Sequence, residues 1–454
     1  MGDRQAFAYA PARTLMGKLQ RGLGSGFLEA LATPPVTLHP LLVACITNDP
    51  RLDCHLDDRE WFYGELAFRS GLPVGPIEEY LVDEASDVEE MTLTALWVLV
   101  HLAQRGADAA DEILRGYVTW GPHWQSVVGD MGVAATSAAW TSLAGVLAGR
   151  ASDADYLHLL DDEPYTTWAT VEPAIAALVS RQRPPGRSEA PALSRRATSD
   201  LLDAPFRGPA TPIVEELARR DSKEDDAALL ASLRSRSAMT RALGLAALSK
   251  RGSFEYVEQM AQMATTGQHP PYASRIARQA LLGAPAETLL PLARSWRSSR
   301  VWARRNTALE ILARHATEED LGWLEGLIRR TSASRADQRF VLTEAAEIAR
   351  DRFPGHHFPL LGRRFDAFTY SFGRRFLAEA LAATEPSFSR TRAFTSLCDC
   401  QADVRLVGVG HVALDVEVRP VHVVVGEGVV LEALVHAHLE VHVAGTGDLR
   451  ETLL

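Results

Sequence analysis

The sequence predicts an all-α protein, and three observations carry that expectation. From about residue 75 onward, apolar residues recur at three- and four-residue steps, the spacing that lines one face of a helix. Small hydroxyl or acidic residues stand where these segments begin, and glycine or proline where they end. Almost no stretch alternates apolar and polar residues before residue 404, so the first 385 residues offer little to a β-sheet.

Residues 1–74 are expected to be partly helical. Gly22-Leu-Gly-Ser-Gly26 precedes Phe27-Leu-Glu-Ala-Leu31, a glycine-rich turn opening a helix. Such a turn cradles phosphate when a strand leads into it and Gly-Lys-Ser follows. Neither is present, and a flexible turn is the favoured reading. The acidic run Asp49, Asp53, Asp57, Asp58 and Glu60 encloses Cys54 and His55, but has neither the alternate-residue spacing nor the central glycine of a calcium loop. It reads as a solvated connector. Cys45, Cys54 and His55 have no zinc spacing, and Cys398-Asp-Cys400 supplies only two thiols. No metal, cofactor or catalytic residue is expected.

Residues 75–180 read as an acidic helical domain. Ser86-Asp-Val-Glu89 has the spacing of a capping box, followed by Leu93, Leu96, Trp97, Val100 and Ala103 on one face and Gly106 at the end. Asp108 starts the next helix, which carries Ile113, Leu114, Tyr117 and Val118 before Gly121-Pro122 stops it. Tyr117, Trp120, His123 and Trp124, with Trp140 and Trp168 further on, form the densest aromatic group. Residues 1–180 hold 10 basic and 25 acidic side chains, a net of −15, and that field opposes phosphate binding. Packing is the favoured role of these aromatics.

Residues 181–210 contain Pro184, Pro185, Pro191, Pro205 and Pro209 among Ser, Arg and Gly, the composition of a linker. Beyond it, residues 211–398 repeat a pattern. Thr211-Pro212 places proline at the first helical position, and Ser222-x-x-Asp225, Thr317-x-x-Asp320 and Ser334-x-x-Asp337 place a hydroxyl three residues ahead of a carboxylate. Four helices open with arginine and carry small apolar residues: Arg241-Ala-Leu-Gly-Leu-Ala-Ala-Leu248, Arg275-Ile-Ala-Arg-Gln-Ala-Leu-Leu282, Arg304-Arg-Asn-Thr-Ala-Leu-Glu-Ile-Leu312 and Arg339-Phe-Val-Leu-Thr-Glu-Ala-Ala-Glu-Ile348. The opening arginines are 34, 29 and 35 residues apart. This arginine-then-alanine-leucine pattern resembles the degenerate helical hairpins of HEAT and armadillo proteins over about residues 211–352. A non-repetitive helical bundle is the alternative. The resemblance implies an α-solenoid, whose stacked hairpins offer a curved binding groove and not a reaction. It thus implies a non-enzymatic, protein-binding scaffold. HEAT-like DNA glycosylases, which hold damaged DNA against aromatic residues and a carboxylate, supply the rival, a nucleic-acid-binding or DNA-processing protein; no local motif carries a residue over.

The expected contact surface lies on the arginines of this region. Arg294, Arg297, Arg300, Arg304 and Arg305 surround Trp296 and Trp302, followed by Arg329, Arg330, Arg363, Arg364, Arg374 and Arg375. Residues 291–375 hold 16 basic and 10 acidic side chains, a net of +6. Guanidinium groups beside indoles can pair with an acidic protein segment or grip nucleic-acid phosphate. Ordinary surface salt bridges with neighbours such as Glu310, Glu318, Glu319 and Asp320 are the leading reading of these arginines; among binding partners the acidic segment ranks ahead of nucleic acid.

Residues 399–454 read as a tail of doubtful fold, either β or disordered. From Gln401 onward there are 15 Val and five His in 54 residues, and nine residue types vanish. Leu414-Asp-Val-Glu-Val418 alternates as a strand would, and residues 435–443 would align His436, His438 and His442. GC-rich DNA read in an unintended frame would also produce this composition.

The bulk numbers exclude broad classes. With 46% hydrophobic and 23% charged residues the chain can bury a core, which rules out wholesale disorder. The longest apolar run, Met91 to Ala103, is short of the roughly 20 residues that span a bilayer, so no membrane is expected. Four cysteines make no disulfide framework, and the first 20 residues lack a secretory signal; a reducing cytoplasm is the expected location.

Overall fold

The protein is described by a computed structural model at residues 8–50, 58–83, 89–150, 164–180, 193, 196–203, 210–335 and 338–412. Among these residues there are 26 α-helices and no strand, as the periodicity predicts. Several start signals act locally as expected. Ser222 accepts the Asp225 amide, and Thr317 and Asp320 form a reciprocal capping box ahead of the helix Leu321–Arg330. Gly106, with φ of 86°, ends Glu89–Gln104 in the left-handed region. Ser86, Asp337, Cys54, His55 and everything after residue 412, including His436, His438 and His442, lie outside the described residues.

The chain divides into two compact units. One comprises Met1–Pro185, Ser332–Arg339 and His357–Leu454; the other comprises Gly186–Thr331 and Phe340–His356. The first crossing falls inside the proline-rich segment. The second divides the span 211–398 that the sequence reading treats as one domain. Residues 357–398 return to the first unit, and so does the helix Ala402–His411, which that reading assigns to the tail.

The first unit holds a large apolar cluster. Phe27, Phe62, Tyr63, Leu96 and Val118 pack with Trp124, Trp140 and Trp168, and the same core takes in Leu397, Cys398 and Cys400 from the far end of the chain. The aromatics that the sequence reading gives to packing are mostly inside. Trp140 donates to Asp111 Oδ1 at 2.7 Å and Trp168 to the Ala135 carbonyl at 3.1 Å, so neither indole is left with an orphaned N–H.

The return of the chain is fastened by buried charge. Arg374 is fully buried and donates to Asp399 Oδ1 at 2.6 Å and Oδ2 at 3.1 Å, and to the Arg21 carbonyl at 2.7 Å. Asp399 also accepts the Gln401 amide at 3.0 Å. Burial opposes the Arg374 charge, but the carboxylate beside it more than compensates and holds the guanidinium protonated. Backbone bonds run beside the pair: the Cys400 amide donates to Gly22 at 2.9 Å, and the Asp58 amide to Cys400 at 3.1 Å. Arg405 completes the clasp on Asp58 at 2.9 Å. The sequence reading places Arg374 on a contact surface; the structure buries it, because a partner 25 residues on neutralises it.

The second unit is built from successive helix pairs. Lys223–Ser232 precedes Ala238–Lys250, Val257–Thr265 precedes Pro271–Leu281, Ala286–Trp296 precedes Trp302–His315, and Leu321–Arg330 precedes Arg339–Arg352. The helices of the second and third pairs pack directly on each other, and Pro271–Leu281 also packs on Ala238–Lys250. A polar device recurs where the second helices end, since the last carbonyls of a helix have no partner within it. Arg251 donates to the Leu217 carbonyl at 2.9 Å, Ser249 to Ala280 at 2.7 Å, Arg314 to Leu282 at 3.3 Å and Arg352 to Ala316 at 3.0 Å. Each bond ties one helix terminus to another 31 to 36 residues away.

Candidate functional site

The predicted arginine and tryptophan residues lie on and around the turn between Ala286–Trp296 and Trp302–His315. The structure sorts them into two groups. Arg294 donates to Asp320 Oδ1 at 3.1 Å and Oδ2 at 2.9 Å, and reaches Glu319 at 2.8 Å. Arg297 adds a bond to Asp320 Oδ1 at 3.0 Å and lies over the Trp323 ring. Asp320 is almost fully buried; burial pushes its carboxyl up, but the Arg294 bonds and the Thr317 amide hold it below its usual value. Arg294 and Arg297 thus secure the capping box that starts the following helix.

The second group faces solvent. Arg300 and Arg304 are exposed, and neither has a hydrogen bond or ion pair among the described residues. Between them Val301 and Trp302 are 44% and 43% exposed. Arg305 stacks on Trp302, its Cζ 5.3 Å from the ring centroid, which holds the indole in place. Trp296 is half-buried before the turn. Arg329 and Arg330 are exposed in the last turn of Leu321–Arg330, where positive charge complements the helix terminus. The arrangement is a small apolar ledge flanked by two unpaired guanidinium groups.

A second cluster escapes the sequence reading. Glu310, on Trp302–His315, accepts Arg278 at 3.3 Å through Oε1, whereas its Oε2 is buried with no hydrogen-bond partner. Glu344 and Glu347, on Arg339–Arg352, approach the same place, and their side chains share a hydrogen bond. Burial, then the charges of Glu347 and Glu310, push Glu344 up to about 8, with Arg278 opposing. A carboxyl so placed is protonated at neutral pH and can donate a hydrogen bond. No local signal marks it: the three glutamates stand on helices that also carry several arginines, and their spacing does not tell where they meet.

This cluster carries a pH prediction. Because the folded value lies above the ordinary 4.5, the stabilisation from protonated Glu344 is complete below 4.5 and is lost as pH rises through about 8. Glu344→Gln should remove that slope and leave the variant more stable than the parent at pH 9, by on the order of 2 kcal/mol. Denaturant titrations at pH 5 and pH 9 measure it.

Cys45 and Cys398 are free, and burial pushes both thiols up to about 12, away from nucleophilic thiolate. Among the described residues, no three His, Cys, Asp or Glu side chains could hold a metal ion, and no helix is long and apolar enough to cross a membrane. No protein-family model, curated protein or solved structure matches the chain.

Proposed function

We propose that the chain is a non-enzymatic binding scaffold, its second unit a stack of HEAT-like hairpins, and that the ledge at residues 300–304 receives an acidic protein segment. The observation that carries this reading is the pair Arg300 and Arg304, exposed and unpaired on either side of exposed Val301 and Trp302. Carboxylates fit the guanidinium groups, and an apolar side chain of the partner fits the indole. The successive helix pairs and the recurring bonds between helix termini support the hairpin reading, and the free buried thiols suit a reducing cytoplasm. A partner bound in this way is lost as salt rises, since exposed ion pairs are screened.

The convergence of Glu310, Glu344 and Glu347 favours the second reading, a nucleic-acid-processing protein on the same helices, with Glu344 as the acid. Recovery of partners from lysate with and without nuclease separates the two. The scaffold reading expects a protein partner whose retention ignores nuclease and disappears in Arg300→Glu/Arg304→Glu. Retention that collapses with nuclease supports the alternative.

A further inference from the structure

A cavity of about 690 Å³ in the first unit opens beside the start of the helix Gly24–Leu31. Gly24 and Ser25 line it, and the Leu23 side chain makes no cap. Only two of the first-turn amides are used, by Gly26 and Phe27 donating to the Leu23 carbonyl. The remaining N–H groups carry the positive end of the helix dipole to the cavity.

The walls add charge and an unused hydroxyl. Arg13 and Arg363 line the cavity, are exposed, and have no ion pair among the described residues. Lys18 and Arg392 also line it but are engaged: Lys18 by Glu29, and Arg392 by Asp366 at 2.6 and 3.1 Å and by Glu385 at 3.7 Å. Asp399 in the wall is neutralised by Arg374. After this pairing Arg13 and Arg363 remain, and because Arg392 balances only one of Asp366 and Glu385, the net surplus of the lining is one positive charge. Ser396, 2% exposed, lines the same cavity, and its Oγ is buried with no hydrogen-bond partner. A buried hydroxyl is rarely left unused, because the lost hydrogen bond is costly.

We infer that this cavity is an anion site for a phosphate group, free or as the monoester of a small molecule. The Gly24 and Ser25 amides meet the phosphate oxygens, Arg13 and Arg363 supply the counter-charge, and Ser396 donates its hydroxyl. The glycine-rich turn thus cradles phosphate without the strand of a nucleotide-binding loop, because a helix, Leu15–Gln20, leads into it.

The test is calorimetric titration of the full chain with inorganic phosphate and with phenyl phosphate at constant ionic strength. Both should bind if the site takes a terminal phosphate; binding of inorganic phosphate alone would restrict it to the free ion. Arg13→Glu/Arg363→Glu changes two exposed side chains and should weaken binding roughly tenfold or more. Ser396→Ala should weaken it by a smaller factor while the far-ultraviolet circular dichroism of both variants stays that of the parent. Absence of binding by either probe, or binding by the double variant as tight as the parent's, overturns the assignment.

Discussion

Arg374→Ala and Asp399→Ala are each expected to lower the unfolding free energy by about 3–5 kcal/mol, because each leaves its buried partner without the opposite charge. The two changes should not add. With both removed no charge is stranded, and the double variant should be less damaged than the sum of the single ones. The pair holds more than itself: Arg374 also donates to the Arg21 carbonyl, and Asp399 fixes the Gln401 amide. Its loss should therefore loosen residues 396–411 and the turn at residue 22 together. Denaturant melts of the two single variants and the double variant measure the cycle, and hydrogen exchange locates the loosening. Single-variant losses below 1 kcal/mol would show that the chain return is held by apolar packing alone.

Gly24→Ala should destabilise nearly as much, for a reason of shape. A β-carbon at this position would lie 1.7 Å from the Thr395 carbonyl oxygen and 2.9 Å from the Cys398 carbonyl carbon. Both are backbone atoms, which cannot swing aside as a side chain would. Overpacking costs about 1–3 kcal/mol when neighbours yield, so a loss at or above the top of that range is expected. Gly116, whose β-carbon would meet nothing within 4 Å, is the control. It lies inside the helix Asp108–Trp120, where alanine should stabilise by about 1 kcal/mol. Thermal melts of the two variants read opposite signs.

These two predictions show where the sequence was legible and where it was not. Helices and their starts are local: the Ser222 cap, the Thr317 capping box and the Gly106 stop depend on residues three or four apart, and they stand in the structure. The four arginine-then-apolar segments at Arg241, Arg275, Arg304 and Arg339 are local patterns too, and all four lie in helices, but only Arg339 stands at the first residue; the helices around the other three start two to four residues earlier. The destination of a charge is not local. Arg294 and Arg304 have similar neighbours in the chain, yet one binds Asp320 and the other faces water, a difference set by a carboxylate 26 residues away. Arg374, Asp399 and the glycines of 22–26 form one closure between residues more than 350 apart. No periodicity records it. The glycines read as a flexible turn, whereas Gly24 is required by the close approach of residues 395–398. Glu310, Glu344 and Glu347 belong to the same class, since only the packing of helices brings them together.

The proposed function has the ledge at Arg300, Val301, Trp302 and Arg304 bind an acidic protein segment. Its most direct test is a side-by-side titration of the full chain with a poly-glutamate peptide carrying one central leucine and with a duplex DNA of equal charge. The parent should bind the peptide more tightly than the DNA at low salt, and Arg300→Glu/Arg304→Glu should abolish peptide binding while leaving the thermal melt unchanged. Peptide binding unaltered in the double variant, or a preference for the DNA, would rule out an acidic protein segment as the occupant of this ledge.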